Sequence, residues 1–391
     1  MTPAIQYFDL IVIGAGPAGS AAARTAAAQG LRTALVDKAR FPRDKLCGGG
    51  FTGRAARYFR EIFERDLPPE FDSKTAVALY GFGEKLGVIA DIPPVYLTMR
   101  FTLDDLLFRL ATEAGAQDFT GQRIVHMAPE TGRVVLNDTE LRAPVVIGAD
   151  GINSPTARAL FGRPFDPEEV GFALECEAPP VDPDAILRID MGAAEWGYGW
   201  SFPKAESHTV GVGGVHSRNP DLKAIMRAYM TEFDIAPDMR IKGQYLPFGR
   251  ARKRPGRANV LLAGDAAWLV DPVTGEGIAY AMKSGQQAAL AARDALARHE
   301  PGAALMLYRH RLRPITQAMR HANLVRLLIY WGPLQRGFVR AARGSGHLRH
   351  DYMRLLGGEI EYSDLMRRLF RRLPGYLLRA SGLKQTVQSD T

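Results

Sequence analysis

Three glycines near the N-terminus have the spacing of a phosphate-binding turn. Gly14, Gly16 and Gly19 form a G-x-G-x-x-G pattern that directly follows the apolar run from Leu10 to Ile13. In such a turn the first glycine permits a tight bend, the second lets the backbone approach a pyrophosphate, and the third lets helix and strand touch. The N-terminus of the following helix then presents N–H donors to the anion. The pattern therefore predicts a dinucleotide site.

Asp37 lies where such a site needs a carboxylate. It ends the strand predicted from Arg32, 18 residues after Gly19. An acid at about this spacing accepts hydrogen bonds from the ribose hydroxyls of an adenosine. The sequence therefore predicts that Asp37 binds the cofactor.

A second glycine motif lies far downstream. The run from Asn259 leads into Gly264 and Asp265, and Gly275 and Gly277 precede an apolar helix. Asp265 is placed to accept hydrogen bonds from ribityl hydroxyls, and the two later glycines open a helix end toward a flavin ring. Two motifs of this kind indicate one extended cofactor held from both ends of the chain. That cofactor is predicted to be FAD.

The elements that must position these motifs predict an α/β fold. It combines a Rossmann-like FAD-binding domain with an interleaved antiparallel-sheet substrate domain and a C-terminal helical region. The first 40 residues form a β-α-β unit, residues 171–215 alternate as antiparallel strands do, and the chain is helical from Ile278. The predicted parts are FAD-binding residues 1–70, 100–165 and 255–300, substrate-domain residues 71–99 and 166–254, and a basic helical region at 301–391.

Several local expectations accompany this division. A strand from Tyr96 to Phe101 precedes a helix from Thr102, and an apolar strand ends in the Asp150-Gly151 turn. The glycine-rich run Val210–Val215 is followed by Pro220, and it is interpreted as a strand rather than a second dinucleotide site. The C-terminal helices are predicted to break at prolines, namely Pro314, Pro333 and Pro374.

The amino-acid composition limits the classes of protein to which the chain can belong. The chain has 391 residues, 46% hydrophobic and 24% charged, as is usual for globular proteins. Its two cysteines, Cys47 and Cys176, are too few for a disulfide framework or a cysteine-ligated iron–sulfur cluster. No signal peptide and no apolar run of about 18 residues is visible. The chain is therefore expected to be cytoplasmic, with no metal centre.

The charge of +8 is unevenly distributed. Residues 301–391 contain 16 Lys+Arg and 5 Asp+Glu, a balance of +11, which leaves −3 for residues 1–300. A basic tail of this kind suits either an anionic partner or a solvated helical face. Its arginines are interleaved with apolar residues, and they include Arg309, Arg311, Arg313, Arg367, Arg368, Arg371 and Arg372. We expect contact with lipid headgroups or a substrate diphosphate, and no nucleic acid.

Taken with Asp37 and the Asp150-Gly151 turn, the two glycine motifs resemble the three fingerprints of flavoproteins related to aromatic hydroxylases. The resemblance extends from about residue 8 to residue 285. It implies that Asp150 and Gly151 lie near both FAD and the nicotinamide of a transient donor, with no separate NADPH domain. The absence of a second G-x-G-x-x-G pattern is in keeping with this.

Two further segments resemble the geranylgeranyl reductase family within that superfamily. Lys45-Leu-Cys47-Gly48-Gly49-Gly50 is similar to its C-G-G segment, and Tyr198-Gly-Trp200-Ser-Phe202-Pro203 is similar to its Y-x-W-x-F-P motif. The first implies that Cys47, Gly48 and Gly49 face the flavin. The second implies that Tyr198, Trp200 and Phe202 line an isoprenoid cavity. Because these three aromatic residues are two positions apart, they would share one face of a strand, and this spacing alone would be equally typical of an ordinary hydrophobic core.

The resemblance implies that isolated C=C bonds of an isoprenoid chain are reduced. Electrons come from NAD(P)H or a ferredoxin-type donor through FAD, and hydride and proton are added to the two alkene carbons. The aromatic pocket must tolerate developing positive charge and exclude water. Cys47 is hypothesised to be catalytic, either as the proton donor or by shaping the pocket. Arg100 is either close to the FAD or a surface cation.

Two alternative functions and the identity of the substrate remain open from the sequence. A flavin monooxygenase or halogenase would share the scaffold, but Trp268 and Ala279-Tyr280 replace the histidine and asparagine usual in aromatic hydroxylases. A non-catalytic flavin or prenyl carrier would share the cofactor motifs. The substrate itself is not specified, because a prenyl diphosphate, a prenylated pigment, a lipid and a quinone tail all carry the same repeating alkene.

Overall fold

The computed structural model describes residues 4–182 and 184–368. The strands of these residues are β1 (Ala4–Tyr7), β2 (Leu10–Ile13), β3 (Thr33–Asp37), β4 (Gly50–Phe51), β5 (Asp72–Lys74), β6 (Val77–Gly81), β7 (Glu84–Ile89), β8 (Val95–Leu97), β9 (Gln117–Thr120), β10 (His126–Ala128), β11 (Arg133–Val135), β12 (Thr139–Arg142), β13 (Val145–Gly148), β14 (Gly171–Ala178), β15 (Leu187–Met191), β16 (Tyr198–Pro203), β17 (His208–Val215), β18 (Ile241–Leu246), β19 (Gly256–Arg257) and β20 (Val260–Leu262). The α-helices are α1 (Pro17–Ala28), α2 (Gly53–Phe63), α3 (Arg100–Glu113), α4 (Pro155–Phe161), α5 (Leu222–Thr231), α6 (Ile278–Ala297), α7 (Ala304–Arg311), α8 (Arg313–Tyr330), α9 (Gly332–Gly344) and α10 (Gly346–Leu356).

A six-stranded sheet carries the N-terminal motif. Its order is β19-β20-β13-β2-β3-β9, and all neighbours pair in parallel except β19 with β20. The strands β2, β13 and β20 are fully buried, as expected for a parallel sheet covered by helices. The alanine-rich helices α1 and α6 contact this sheet, and they pack closely against each other, since a Cβ added at Gly285 would lie 2.0 Å from the carbonyl oxygen of Ala18. The Rossmann-like α/β class predicted from the sequence is confirmed.

A seven-stranded sheet forms the second layer, in the order β18-β14-β17-β16-β15-β6-β7. Its strands come from both segments predicted to form the substrate domain, and the pairing is antiparallel except between β6 and β15. We call the face that carries Tyr198, Trp200 and Phe202 the inner face. Helix α5 covers the opposite, outer face, where Tyr229 lies against Gly199. The domain boundaries within the chain remain a prediction.

Helices α9 and α10 cover one end of the inner face. Val339, Ala342 and Met353 pack there against Leu79 and Ile189. Two smaller sheets complete the described strands, one ordered β1-β12-β11-β10 and the other β4-β8-β5. No helix of the described residues is both long and apolar enough to cross a membrane.

Most local expectations are confirmed, and one boundary is wrong. Val210–Val215 lies within strand β17, and α8 and α9 begin at the predicted breaks near Pro314 and Pro333. Helix α3, however, begins at Arg100 rather than Thr102, since the preceding strand already ends at Leu97. The early start places Arg100 one turn before Asp104, where the two side chains form a buried ion pair. Pro374, Arg371 and Arg372 lie outside the described residues.

Candidate active site

The N-terminal glycine turn is packed tightly on one side and open on the other. A Cβ at Gly19 would lie 1.6 Å from the carbonyl oxygen of Gly14, and a Cβ at Gly14 would lie 2.3 Å from that of Ala149. Gly14 also has a φ of 98°, which disfavours any side chain. A Cβ at Gly16 would instead meet nothing nearer than the Arg43 guanidinium at 3.5 Å. The open side is therefore at Gly16, where helix α1 begins without a side-chain cap.

Cations surround this open side. Arg43 and Arg100 both contact the fully buried Asp104, at 2.9 Å and 2.6 Å, and Lys45 lies 3.6 Å from Asp265. Burial and the nearby Arg100 charge lower the pKa of Lys45. Three cations thus face two carboxylates beside an uncapped helix N-terminus, an arrangement that favours an additional anion.

Asp37 anchors the turn at the end of β3. Its Oδ2 accepts the N–H of Ala15 at 2.8 Å, and its Oδ1 accepts that of Ala39 at 2.9 Å. These bonds fix the carboxylate beside the glycine turn, where the sequence predicted it. Its contact with a ribose remains a prediction.

The Asp150-Gly151 turn lies directly behind the first motif. A Cβ at Gly14 would lie 2.9 Å from the Asp150 Cα. The Asp150 carboxylate accepts hydrogen bonds from the Ser154 hydroxyl and from the Thr156 N–H, and its pKa is raised by burial. Gly151 has a φ of 75° with open space around it. In the structure Asp150 therefore holds the start of α4.

The downstream motif meets the first at the carboxyl edge of the parallel sheet. A Cβ at Gly264 would lie 3.0 Å from the Ala18 side chain, which brings β20 against α1. Gly277 precedes α6, which has no side-chain cap, and a Cβ there would lie 3.9 Å from the Asp265 Oδ1. Dinucleotides bind outside this edge in doubly wound folds. The open glycine, the cations and the two uncapped helix ends fit an FAD molecule.

The segment from Lys45 to Gly50 lies on the aromatic inner face of the second sheet. A Cβ at Gly48 would be 2.8 Å from the Trp200 Nε1, and one at Gly50 would be 3.4 Å from the Phe202 ring. The Cys47 N–H donates to the Glu175 Oε1 at 2.9 Å, and the Cys47 side chain packs against an apolar cluster that includes Phe51. The two segments that resemble family motifs are thus in direct contact.

Tyr198 joins the same face to the downstream motif. Its hydroxyl donates to the Thr274 carbonyl at 3.3 Å, and a Cβ at Gly275 would lie 1.7 Å from that hydroxyl oxygen. Gly275 has a φ of 69°, so glycine is required there for both reasons. The predicted site residues of the three segments, 45–50, 198–202 and 264–277, are therefore brought together.

A buried polar network under the loop 271–277 was missed by sequence reasoning. Arg54 is 1% exposed, forms a hydrogen bond with Tyr280, and lies 3.4 Å from Glu276. Burial raises the pKa of Glu276 to about 7, although the Arg54 charge acts in the opposite direction. Thr52 donates to the same carboxylate.

The C-terminal part of the described chain closes this network. The Tyr362 hydroxyl contacts both Asp271 carboxylate oxygens at 2.8 Å, and Arg54 lies 3.5 Å from Glu361. Burial raises the pKa of Asp271. No sequence pattern pairs these positions, because they are separated by about 90 residues or more. The contacts tie residues 361–362 to the loop that was predicted to face the flavin.

Trp268 and Tyr280, which lie at the positions where the sequence departs from the aromatic-hydroxylase pattern, have structural roles. Trp268 is buried and donates from Nε1 to the Pro164 carbonyl at 3.4 Å. Tyr280 is buried against Arg54. The described residues contain no group of three or more potential metal ligands.

Known proteins are similar to this chain in sequence. Residues 9–83 match the FAD dependent oxidoreductase family model. A menaquinone reductase of Mycobacterium tuberculosis is 34% identical over 308 residues, which cover 72% of this chain and 75% of the relative. A digeranylgeranylglycerophospholipid reductase of Methanosarcina mazei is 31% identical over 320 residues, covering 74% and 76%.

Solved structures show the same fold. A geranylgeranyl bacteriochlorophyll reductase-like protein from Thermoplasma acidophilum has a TM-score of 0.78 at 22% identity, with 94% of this chain and 99% of that chain covered. A flavin-dependent brominase has a TM-score of 0.68 at 21% identity, covering 94% and 100%. The fold alone therefore does not separate a reductase from a halogenase.

Proposed function

The chain belongs to the geranylgeranyl reductase family of FAD-dependent oxidoreductases, and on that premise we propose that it saturates isolated C=C bonds of an isoprenoid chain. The observation that carries the proposal is the contact between the 45–50 segment and the aromatic inner face. This contact lies beside the loop 271–277, where Tyr198 meets Gly275. A prenyl chain is long, apolar and uncharged along its alkenes, and an aromatic face of this kind suits it.

The chain's residues can be assigned to the parts of FAD. The uncapped α1 N-terminus at Gly16, with Arg43 and Arg100, would hold the pyrophosphate. The remaining assignments are Asp37 to the adenosine ribose, Asp265 to the ribityl chain, and the segment from Gly275 to Gly277 to the flavin ring. When bound and reduced by NAD(P)H or a ferredoxin-type donor, FAD supplies the hydride that reaches one alkene carbon.

The pocket residues then position the alkene and protect it. Trp200 is buried, and Tyr198 and Phe202 are partly buried on the same face. Aromatic faces stabilise positive charge that develops when an unactivated alkene is protonated, and a dry pocket prevents its capture by water. We propose that Cys47 contacts the reacting alkene and shapes this end of the pocket, because its side chain packs against apolar neighbours.

We further propose that the end of α8 and the start of α9 rest on a lipid surface. Five large apolar side chains are exposed there, Leu324, Leu327, Leu328, Trp331 and Leu334, at 37–53% exposure. Exposed arginines flank them, including Arg320, Arg336 and Arg340. An apolar patch bordered by cations is suited to anionic headgroups. Two of the arginines expected from the sequence to meet an anion, Arg311 and Arg368, are instead paired with Asp294 and Asp351.

Replacing Leu327 and Trp331 together by serine is expected to reduce binding to anionic vesicles about tenfold, because buried apolar area is lost. The measurement is co-sedimentation with phosphatidylglycerol vesicles at low and high salt. Val125→Ser, at a side chain 68% exposed on another surface, is the matched control. Equal binding of both variants and wild type would contradict the membrane proposal.

The substrate class is tested by anaerobic mixing. The dithionite-reduced flavoprotein is combined separately with geranylgeranyl diphosphate, a geranylgeranylated glycerophospholipid and a menaquinone, and flavin absorbance is followed. Fast reoxidation with one of them, together with a saturated double bond in its recovered prenyl chain, identifies the head group that the protein accepts. The second criterion is needed because a quinone ring also accepts electrons from reduced flavin directly. Reoxidation only by oxygen, with oxygen insertion into an aromatic compound, would support the monooxygenase alternative instead.

A further inference from the structure

Glu175 is a buried carboxyl that the cofactor motifs do not use. It lies on the inner face of β14, is 6% exposed, and follows Leu174 in an otherwise largely apolar strand. Its Oε1 accepts the Cys47 N–H at 2.9 Å. Its Oε2 is buried and has no hydrogen-bond partner among the described residues. Such an unpartnered oxygen is costly unless it carries a proton or meets a ligand.

The charged groups around Glu175 do not neutralise it. Lys204 is engaged by Glu177 and Thr209, and Lys242, opposite Glu175 on β18, is engaged by Asp44. No cation of the described residues forms an ion pair with Glu175. Burial raises the pKa of Glu175 to about 7, while the Cys47 N–H, Lys204 and Lys242 act in the opposite direction and Glu177 adds to the rise. The group is therefore able to hold and release a proton near neutral pH.

Gly211 makes room for the Trp200 ring beside Glu175. Gly211 pairs with Glu175 on one side and with Trp200 on the other. A Cβ at Gly211 would lie 2.3 Å from the Trp200 ring, which extends over this position toward Glu175. The Trp200 Nε1 is also buried without a partner. Two unpartnered polar atoms thus lie in one row beside Cys47, at the place proposed for the alkene.

We propose that Glu175 is the acid that protonates the alkene, an inference that rests on the proposed function. Hydride from the reduced flavin brings an electron pair to one alkene carbon. The O–H bond of the Glu175 carboxyl breaks, and its proton forms a C–H bond at the other carbon with the former π pair. The flavin is oxidised, the alkene is reduced, and the carboxylate recovers a proton from solvent after the product leaves. Cys47 then shapes the pocket, and its backbone orients the acid.

The test compares Glu175→Gln, Glu175→Asp, Cys47→Ser and the surface control Glu195→Gln, whose side chain is 56% exposed. Anaerobic single-turnover reoxidation of the reduced holoprotein by geranylgeranyl diphosphate is measured from acid to alkaline pH. Wild type is expected to lose rate above pH about 7, and Glu175→Gln to be at least about 100-fold slower with no such midpoint. Glu175→Asp should recover part of the rate, and Cys47→Ser should keep the wild-type midpoint. Flavin content and dithionite reduction report whether each variant is folded.

Infrared difference spectra of the holoprotein provide a readout that needs no substrate. The pKa of Glu276 is also raised to about 7, so two carboxyls contribute to the wild-type band near that pH. Loss of part of the band in Glu175→Gln supports the inference, and a band of unchanged intensity in that variant overturns it. Glu175→Gln with wild-type rate and pH profile also overturns it. If wild type reduces no prenyl chain, the proposed function fails, and the infrared titration still decides whether Glu175 holds the proton.

Discussion

Replacing Gly16 by valine is expected to give a folded protein that binds FAD at least about 100-fold more weakly than wild type. A side chain at this position meets only the movable ends of Arg43 and Arg100, at 3.5 Å and 3.8 Å. The φ of −75° at Gly16 is open to any residue. The protein itself therefore accepts the change, and the added methyl groups occupy the space that a pyrophosphate needs at the α1 N-terminus.

The measurement is the flavin-to-protein absorbance ratio, followed by FAD titration of the apoprotein, with circular dichroism to verify the fold. Gly302→Val is the matched control, because a Cβ at Gly302 meets nothing within 4 Å and the site lies after α6, remote from the turn. Gly19→Ala should differ from both by failing to fold, since its Cβ would lie 1.6 Å from a backbone oxygen. Wild-type FAD affinity in Gly16→Val would contradict the assigned cofactor position.

Replacing Arg54 by methionine is expected to reduce the free energy of unfolding by about 3–5 kcal/mol. The substitution preserves much of the volume but leaves Glu276 buried without its counter-ion. It also removes the bond from Arg54 to the Leu355 carbonyl, which connects α2 to the end of α10. Chemical denaturation measures the loss, and flavin release at intermediate denaturant measures the coupling to the loop 271–277.

The loss should increase with pH. In folded wild type the pKa of Glu276 is raised to about 7 from its ordinary 4.5. The free energy of unfolding therefore falls as the pH rises from about 4.5 to about 7, because the unfolded chain releases this proton before the folded protein does. Without Arg54 that pKa rises further, because the positive charge that opposes the effect of burial is gone. Between about pH 4.5 and pH 7 both folded proteins keep this proton and lose stability in parallel. The difference between variant and wild type should therefore be nearly constant below about pH 6 and should grow above about pH 7, where Glu276 ionises in folded wild type but not in the folded variant.

A second substitution provides the internal control. Adding Glu276→Gln to Arg54→Met removes the uncompensated charge and should restore part of the stability and abolish the added pH dependence. Equal destabilisation of the single and double variants at every pH would contradict the role assigned to this ion pair. Arg24→Met is a further control, because its partner Glu64 is 74% exposed and such pairs contribute little.

The cofactor side of the site was readable from the sequence because its signals are local. Gly14, Gly16 and Gly19 belong to one strand–turn–helix unit, and Gly264 and Asp265 follow a single buried strand. The alternation of Tyr198, Trp200 and Phe202 also predicted a shared face. Each of these features depends on backbone geometry over a few residues, and the parallel sheet then places the strand ends at one edge.

The remaining part depends on contacts between distant segments. Glu175 reaches Cys47 across 128 residues, and Arg54 reaches the Leu355 carbonyl across 301. One of the two glutamates of β14 and one of the three arginines of α2 look like surface charges until the packing around them is known. The start of α3 at Arg100 was missed for a similar reason, since its buried ion pair with Asp104 and the Arg43 contact both depend on tertiary structure.

The most direct test of prenyl reduction is the mass of the product of one anaerobic turnover. The reduced flavoprotein is mixed with geranylgeranyl diphosphate, or with the head group selected by flavin reoxidation, and the chain is analysed by mass spectrometry. The proposal predicts gains of two hydrogens per reduced double bond, no added oxygen, and one flavin oxidised for each. An unchanged chain with every prenyl substrate offered, beside a flavin that stays reduced until air enters, would contradict it.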